Sequence, residues 1–291
     1  MPAGDLITAD YQCEYAGILM GPGTKYGIKS YDFADMPVLR SSHTSRGNDQ
    51  GNYRGSDYMD NRFVNLDMVI IGTSNNDLQN LIATLQGATA PSNNLNNVLV
   101  FQLPGQVKKQ VSARSYKRAM PQTADRAQFA TVDAKLQFLC LDPRIYSQAL
   151  NVSSVGPPAI VGGRVWPHVY PRIYTSGTGS SVIVCNNVGT FETRPVYTIV
   201  GPVTNPAIFN NTTGQYLKFN ITLLATDTLT IDTAASSVLL NGTASRRNSV
   251  TTDSSTITSM NLQPGANSIG FLPTSSVAGA LLTVTWRDAW V

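Results

Sequence analysis

Between residues 182 and 290 the chain is a succession of short runs: VIVCNNVG, RPVYTIVG, YLKFNITLL, DTLTIDT, SVLLNG, NSIGF and LLTVTWRDAW, each bounded by turn residues. That spacing constrains the fold more than any other feature. The runs are too short for stable helices, and their apolar residues alternate with polar ones at the period of a half-buried strand. Leu229 and Ile231 share one strand face; Leu282, Val284 and Trp286 share another. Asn241-Gly242 is a hairpin signal, because both central residues of a type I′ turn need positive φ. Pro264-Gly265 suits a type II turn, with proline pre-setting the first central position and glycine supplying positive φ at the second. So many short strands at this spacing predict an antiparallel β-sandwich or jelly roll.

The same region is rich in Ser and Thr, which make up 36 of the 144 residues after position 147. A disordered, mucin-like stalk has that bias but lacks alternating Ile, Leu and Val and hairpin-placed NG and PG pairs. The Ser and Thr residues therefore read as the solvent faces of strands. Over the whole chain charged residues are 13%, about half the usual share, while hydrophobic residues are 42%. Such a chain folds, and its low charge suits a protein that covers much of its surface with other subunits. A net charge of +3 is too small to mark a nucleic-acid binder by itself. Cys13, Cys140 and Cys185 are odd in number, widely spaced and without a CxxC, so buried thiols are expected and neither a disulfide framework nor a metal site. The N-terminal MPAGDLITADYQ has no basic segment and no apolar core, and no run approaches 18 apolar residues. Neither a secretory signal nor a membrane span is expected, and folding is expected in a cytosol.

In the first half, RFVNLDMVIIG reads as a strand, with Phe63 at its start and Leu66, Met68 and Ile70 alternating after it. TSNNDLQNLIATLQGA then places Leu78, Leu81, Ile82 and Leu85 at i, i+3, i+4 and i+7. This is the one convincing helix, with Ser74 to Asn76 as N-cap candidates and Gly87 as its stop. Strands are expected at NVLVFQLPG, KQVSARSYKRA and AQFATVDAKLQFLCLDP. Residues 1–147 are read as one β domain with a short helix, 148–175 as a Pro/Gly-rich connector and 176–291 as the second β domain.

Read in order, NNVGTFETRPVYTIVGPVTNPAIFNNTTGQYLKFNITLLATDTLTIDT, then SVLLNG, LQPGANSIGF and LTVTWRDAW, resembles the distal tail protein (Dit) family of long-tailed bacteriophages, in its siphovirus-type C-terminal domain. The resemblance covers roughly residues 183 to 290 and is looser in the first half, at residues 62–103 and LQFLCLDPRIYS. It implies an N-terminal sandwich or split-barrel-like domain and a C-terminal galectin-like or carbohydrate-module-like jelly roll. It also implies a role without chemistry. Proteins of this family form a hexameric ring at the tail tip around a channel for DNA, between the tail tube protein and the tail hub or tip protein, and can hold receptor-binding proteins. The expected location is the virion, after assembly in the host cytoplasm. Other readings are a carbohydrate-binding module of a phage or cell-surface adhesin, and the tail tube subunit itself.

Candidate sites follow from residue chemistry. The basic run KKQVSARSYKR carries Lys108, Lys109, Arg114, Lys117 and Arg118; as a regular strand it would place Lys108, Arg114 and Arg118 on one face with Gln110, Ser112 and Tyr116. Lys108, Arg114, Lys117 and Arg118 are candidates for a channel lining or an intersubunit contact. Trp286 is expected in a core, Trp166 in the connector and Trp290 partly exposed, where it could stack on a sugar ring. His43 and His168 lie in loop-like segments, and Glu14 and Glu192 are the only glutamates. Asp227, Asp232, Asp253 and Asp288 lie in the second half; Asp227 sits in a turn and Asp232 ends a strand, where aspartates usually make local hydrogen bonds. No catalytic constellation, cofactor or metal is therefore expected. GPGTKYG lacks the GK[ST] ending of a phosphate loop. The polar stretch at residues 41–62 is expected to be a loop that orders on meeting a neighbouring ring.

Overall fold

The computed structural model describes residues 2–91, 97–123, 128–158, 160–161, 177–178, 181–276 and 279–291. The fold is mainly β, with antiparallel pairing throughout the described ladders and one α-helix among the described residues. The chain divides into two compact units, 1–149 with 291, and 150–290. Residues 151–155, expected within the connector, form a strand of the second unit, because Asn151–Val155 pairs residue by residue with Leu282–Trp286. Further on, Ile160–Val161 pairs with Gly177–Thr178; Trp166 and His168 lie outside the described residues.

The first unit is one winding sheet in the order Ile18–Met20, Cys13–Tyr15, Asn97–Phe101, Lys109–Ala119, Thr131–Cys140, Arg62–Ile71, Tyr26–Tyr31. Lys109–Ala119 joins its two halves: residues 109–113 pair with Asn97–Phe101, and residues 114–119 pair with Thr131–Cys140. Val64, Leu66, Met68 and Ile70 lie beneath 1% or less exposure, and their partners Phe138, Leu136, Ala134 and Val132 share that face. Phe63 points the other way and is 42% exposed, since strand side chains alternate strictly and 63 is out of phase with 66.

The helix Asn75–Ala88 covers the buried face with Leu78, Ile82 and Leu85, while Leu81 is half-buried. Ser74 is its N-cap, the hydroxyl accepting from the Asp77 backbone N–H at 3.2 Å. Gly87 does not stop it. The helix runs on to Ala88, and Thr89 caps it, its hydroxyl donating to the Leu85 carbonyl at 2.6 Å.

The second unit is a β-sandwich. One sheet has the order Asn151–Val155, Leu281–Trp286, Val196–Val200, Thr228–Asp232, Ser237–Leu240, Ala244–Ser245; the other has Val182–Asn187, Gly265–Phe271, Ala207–Asn210, Gln215–Lys218. Between them Tyr197, Ile199, Leu229, Ile231, Leu282 and Val284 of the first meet Cys185, Ile208, Leu217, Ile269 and Phe271 of the second in one core. Trp286 is in that core at 5% exposure, its indole N–H donating to the Asn186 carbonyl at 3.2 Å. Tyr197 is fully buried and its hydroxyl donates to the Met260 carbonyl at 3.0 Å; burial pushes that phenol well above its usual pKa. Both turn expectations match the backbone: Asn241 and Gly242 have φ of 51° and 75°, and Gly265 has φ of 90°.

Candidate assembly surfaces

The basic strand does not present one basic face. Between Ser115 and Lys117 its register against Thr131–Cys140 shifts, leaving Tyr116 as an extra residue. A bulge of this kind flips every later side chain to the opposite face. Arg114 pairs with Leu139 and Lys117 with Gln137, so these two share the outer face, whereas Arg118 pairs with Leu136 on the helix-covered face. There Arg118 donates to the Gln86 carbonyl at 3.0 Å and the Thr89 hydroxyl at 2.6 Å, a cation at a helix C-terminus. Lys108 precedes the strand and donates to the Gly4 and Ile7 carbonyls at 3.0 and 2.9 Å. Of the four candidates, two are held within the unit and two, Arg114 and Lys117, stay outward and exposed.

Around Lys117 the outer face is polar and mixed in sign. Lys135 pairs with Asp67 at 3.2 Å, and the Gln137 amide donates to Asn65 Oδ1 at 2.9 Å. Phe63 and the bulged Tyr116 meet edge-on there with ring centroids 5.5 Å apart, and Tyr116 is 61% exposed. Sequence reading missed this aromatic pair, because neither residue is out of place in a strand.

Residues 39–59 are a two-step hairpin, where a loop was expected. Leu39–Ser41 pairs with Asp57–Met59, and Thr44–Ser45 pairs with Asn52–Tyr53. Rungs between them come from Ser42 N–H to the Ser56 carbonyl at 3.3 Å and Arg46 N–H to the Gly51 carbonyl at 3.1 Å. Gly55 permits the close step, since a Cβ there would lie 2.1 Å from the Ser42 carbonyl oxygen. The His43 imidazole closes it from the side: Nδ1 accepts from the Gly55 N–H at 3.0 Å, and Nε2 lies 3.5 Å from Asp57. Neither step pairs with any other described strand. Both outer edges of this arm are thus open, and Leu39, Tyr53 and Tyr58 along it, with Met36 and Val38 just before it, are 44–73% exposed. An open edge carries unpaired N–H and C=O groups that another chain can pair, and exposed apolar side chains favour being covered.

The arm is anchored by Arg62, which is 1% exposed. Its guanidinium donates to the carbonyls of Pro143 at 2.9 Å, Phe33 at 3.4 Å and Asp35, while Nη2 is buried and has no partner among the described residues. Burial lowers its pKa, partly offset by Cys140, Asp32 and Asp35 nearby.

The aspartates of the second unit are held by hydrogen bonds, Asp227 and Asp232 by local turn bonds and Asp253 and Asp288 by partners distant in sequence. Asp227 accepts from Leu224 N–H and the Asn241 amide, Asp232 from Ala234 and Ala235 N–H, and Asp288 from Val188 N–H. Asp253 pairs with Lys218 at 2.8 Å. No group of three or more His, Cys, Asp or Glu side chains gathers among the described residues. The three cysteines are buried and unbridged, their thiols pushed up to about 12 by burial. Trp290 lies on the short strand Ala289–Trp290, half-buried.

Residues 188–290 match the family described as the siphovirus-type tail component, C-terminal domain. Among solved structures the chain is similar to the SPP1 Dit protein, described as a paradigm of the hub adsorption apparatus in phages infecting Gram-positive bacteria. That likeness has 12% identity and a TM-score of 0.67, over 96% of this chain and 99% of that one. A chain of the phage p2 baseplate, in its activated conformation with Sr, is similar at 11% identity and a TM-score of 0.50, over 94% of this chain and 96% of that one. No curated protein matches the sequence. At these identities the likeness to solved structures is one of fold. Along nearly its whole length the chain has the fold of the SPP1 Dit protein, and its residues 188–290 match the siphovirus-type tail component, C-terminal domain.

Proposed function

We propose that this chain is a structural protein of a long-tailed phage, a distal tail or baseplate-hub subunit whose copies close into a hexameric ring at the tail tip. The first domain, residues 1–147, builds the ring around a channel through which DNA passes in transit. The second unit, residues 150–290, is where receptor-binding proteins attach. One ring face meets the tail tube protein and the other the tail hub or tip protein; assembly takes place in the host cytoplasm, and the protein acts without enzymatic chemistry.

The arm at residues 39–59 is the observation that carries this reading. A lone two-stranded hairpin is marginal in water, and this one leaves two edges unpaired and its apolar side chains exposed. Its cost is offset when a neighbouring copy covers it, and cyclic symmetry then turns one such contact into a closed ring. Arg114, Lys117, Phe63 and Tyr116 on the outer sheet face form a second patch for a subunit contact or the channel wall.

Replacing residues 42–56 by a short Gly-Ser turn tests the reading. The expected result is loss of the ring in sedimentation velocity with the circular dichroism spectrum and thermal transition of the second unit retained. A shortened chain that still forms rings would remove the arm from the mechanism.

A further inference from the structure

The second unit carries an open groove on the outer face of its four-stranded sheet. On the outer face of the four-stranded sheet, Phe209 sits between Gly270 and Tyr216 in the ladder. Its neighbour Ile208 faces the core at 0% exposure, so the half-buried Phe209 ring faces outward. The Phe209 and Tyr216 rings stack with centroids 5.9 Å apart at 30°, which fixes the Phe209 plane. Lys218 is held in turn, its Nζ 4.7 Å over the Tyr216 ring and 2.8 Å from Asp253. Beside Phe209 lies an open groove of about 440 Å³, with Leu272 and Pro273 on one wall, within the range of small-molecule sites.

The groove's polar groups identify the ligand class. Asn205, Asn220 and Thr274 line it, and their side chains make no hydrogen bond to other described residues. Two amides and a hydroxyl offer both donors and acceptors. The one charged residue lining the groove, Lys218, is paired with Asp253, so the groove has no net charge to attract an anion or a cation. A rigid aromatic face, an apolar wall and uncommitted neutral donors and acceptors match one chemistry: a neutral pyranose, whose C–H face stacks on a ring while its hydroxyls bond at the edges. We infer that this groove is a subsite for a neutral saccharide, centred on Phe209 and read by Asn205 and Asn220. The inference does not depend on ring assembly, because every residue involved lies in the second unit.

The test is a glycan array of neutral and acidic oligosaccharides probed with the full chain, followed by calorimetric titration of the best-bound neutral member. Neutral hexose or N-acetylhexosamine oligomers are expected to bind, and Phe209→Ala and Asn220→Ala each to weaken binding about tenfold or more. Asn220 is exposed, so that variant keeps the fold even if Phe209→Ala disturbs the sheet, and the thermal transition reports which has happened. Trp290→Ala is expected to leave binding unchanged. Absence of binding to neutral glycans at millimolar concentration, preference for acidic ones, or loss on Trp290→Ala with retention in Asn220→Ala would each overturn the inference.

Discussion

Arg114 and Arg118 stand four residues apart on one strand, and a regular alternation puts them on the same face. One bulged residue, Tyr116, separates them. Nothing in KKQVSARSYKR announces that bulge, since no glycine marks it, and so the sequence reading grouped side chains that the fold divides. The division predicts different phenotypes. Arg118→Ala removes the hydrogen bonds to Gln86 and Thr89 and is expected to cost about 0.5–1 kcal/mol in urea denaturation, whereas Arg114→Ala is expected to leave stability unchanged. Arg62 carries more. Removing it leaves the carbonyls of Phe33, Asp35 and Pro143 without this donor, and Arg62→Ala is expected to cost about 2–4 kcal/mol. A buried arginine has no mark in sequence, because alone it reads as the polar start of a strand. Asp77 gives a pH handle. Its carboxylate accepts from Lys25 and from the Thr73 backbone and hydroxyl, and chiefly the Lys25 bond holds its pKa down at about 2. A folded pKa below the unfolded one stabilises fully above about pH 4 and loses that contribution as pH falls through about 2. In Asp77→Asn the stability change between pH 4 and 2, followed by urea midpoint, is expected to be shallower than in the parent chain.

Elements with a clean period were legible and elements held by tertiary contacts were not. The helix followed from Leu78, Ile82 and Leu85, and its N-cap from Ser74; its stop was misplaced because Thr89 and Arg118 supply the cap that Gly87 does not need to. The strands of the second unit were legible from alternation and from turn residues such as Asn241-Gly242. The arm was not, because its paired segments are two or three residues long, too short to show a period of two. What fixes it is steric: with Gly55→Ala a Cβ meets the Ser42 carbonyl at 2.1 Å. That variant is expected to speed amide hydrogen exchange at residues 42–56 and leave the Arg62–Ile71 strand protected. Gly189 is the corresponding point in the second unit, where a Cβ would lie 1.8 Å from the Ala289 carbonyl oxygen. There Asn187, 0% exposed, accepts from the Gly189 and Ala289 N–H groups. Gly189→Ala is expected to destabilise that unit by about 2 kcal/mol or more, read as a lowered thermal transition. The groove beside Phe209 was equally illegible, since it joins residues from 205 to 274 through sheet register alone.

At the scale of the molecule, the two compact units divide the chemistry. The first carries open strand edges and exposed aromatics on its arm and outer face, the features of a subunit built to be covered. The second is a β-sandwich with its own apolar core, and it carries the sequence match to the tail-component family. Low charge over the whole chain fits a protein that hides surface in an assembly. The central claim is ring formation, and native mass spectrometry across a concentration series addresses it most directly. The account predicts a discrete hexamer, or a pair of stacked hexamers, with no open-ended series of larger species; a monomer at every concentration, or a ladder of filaments, would contradict it.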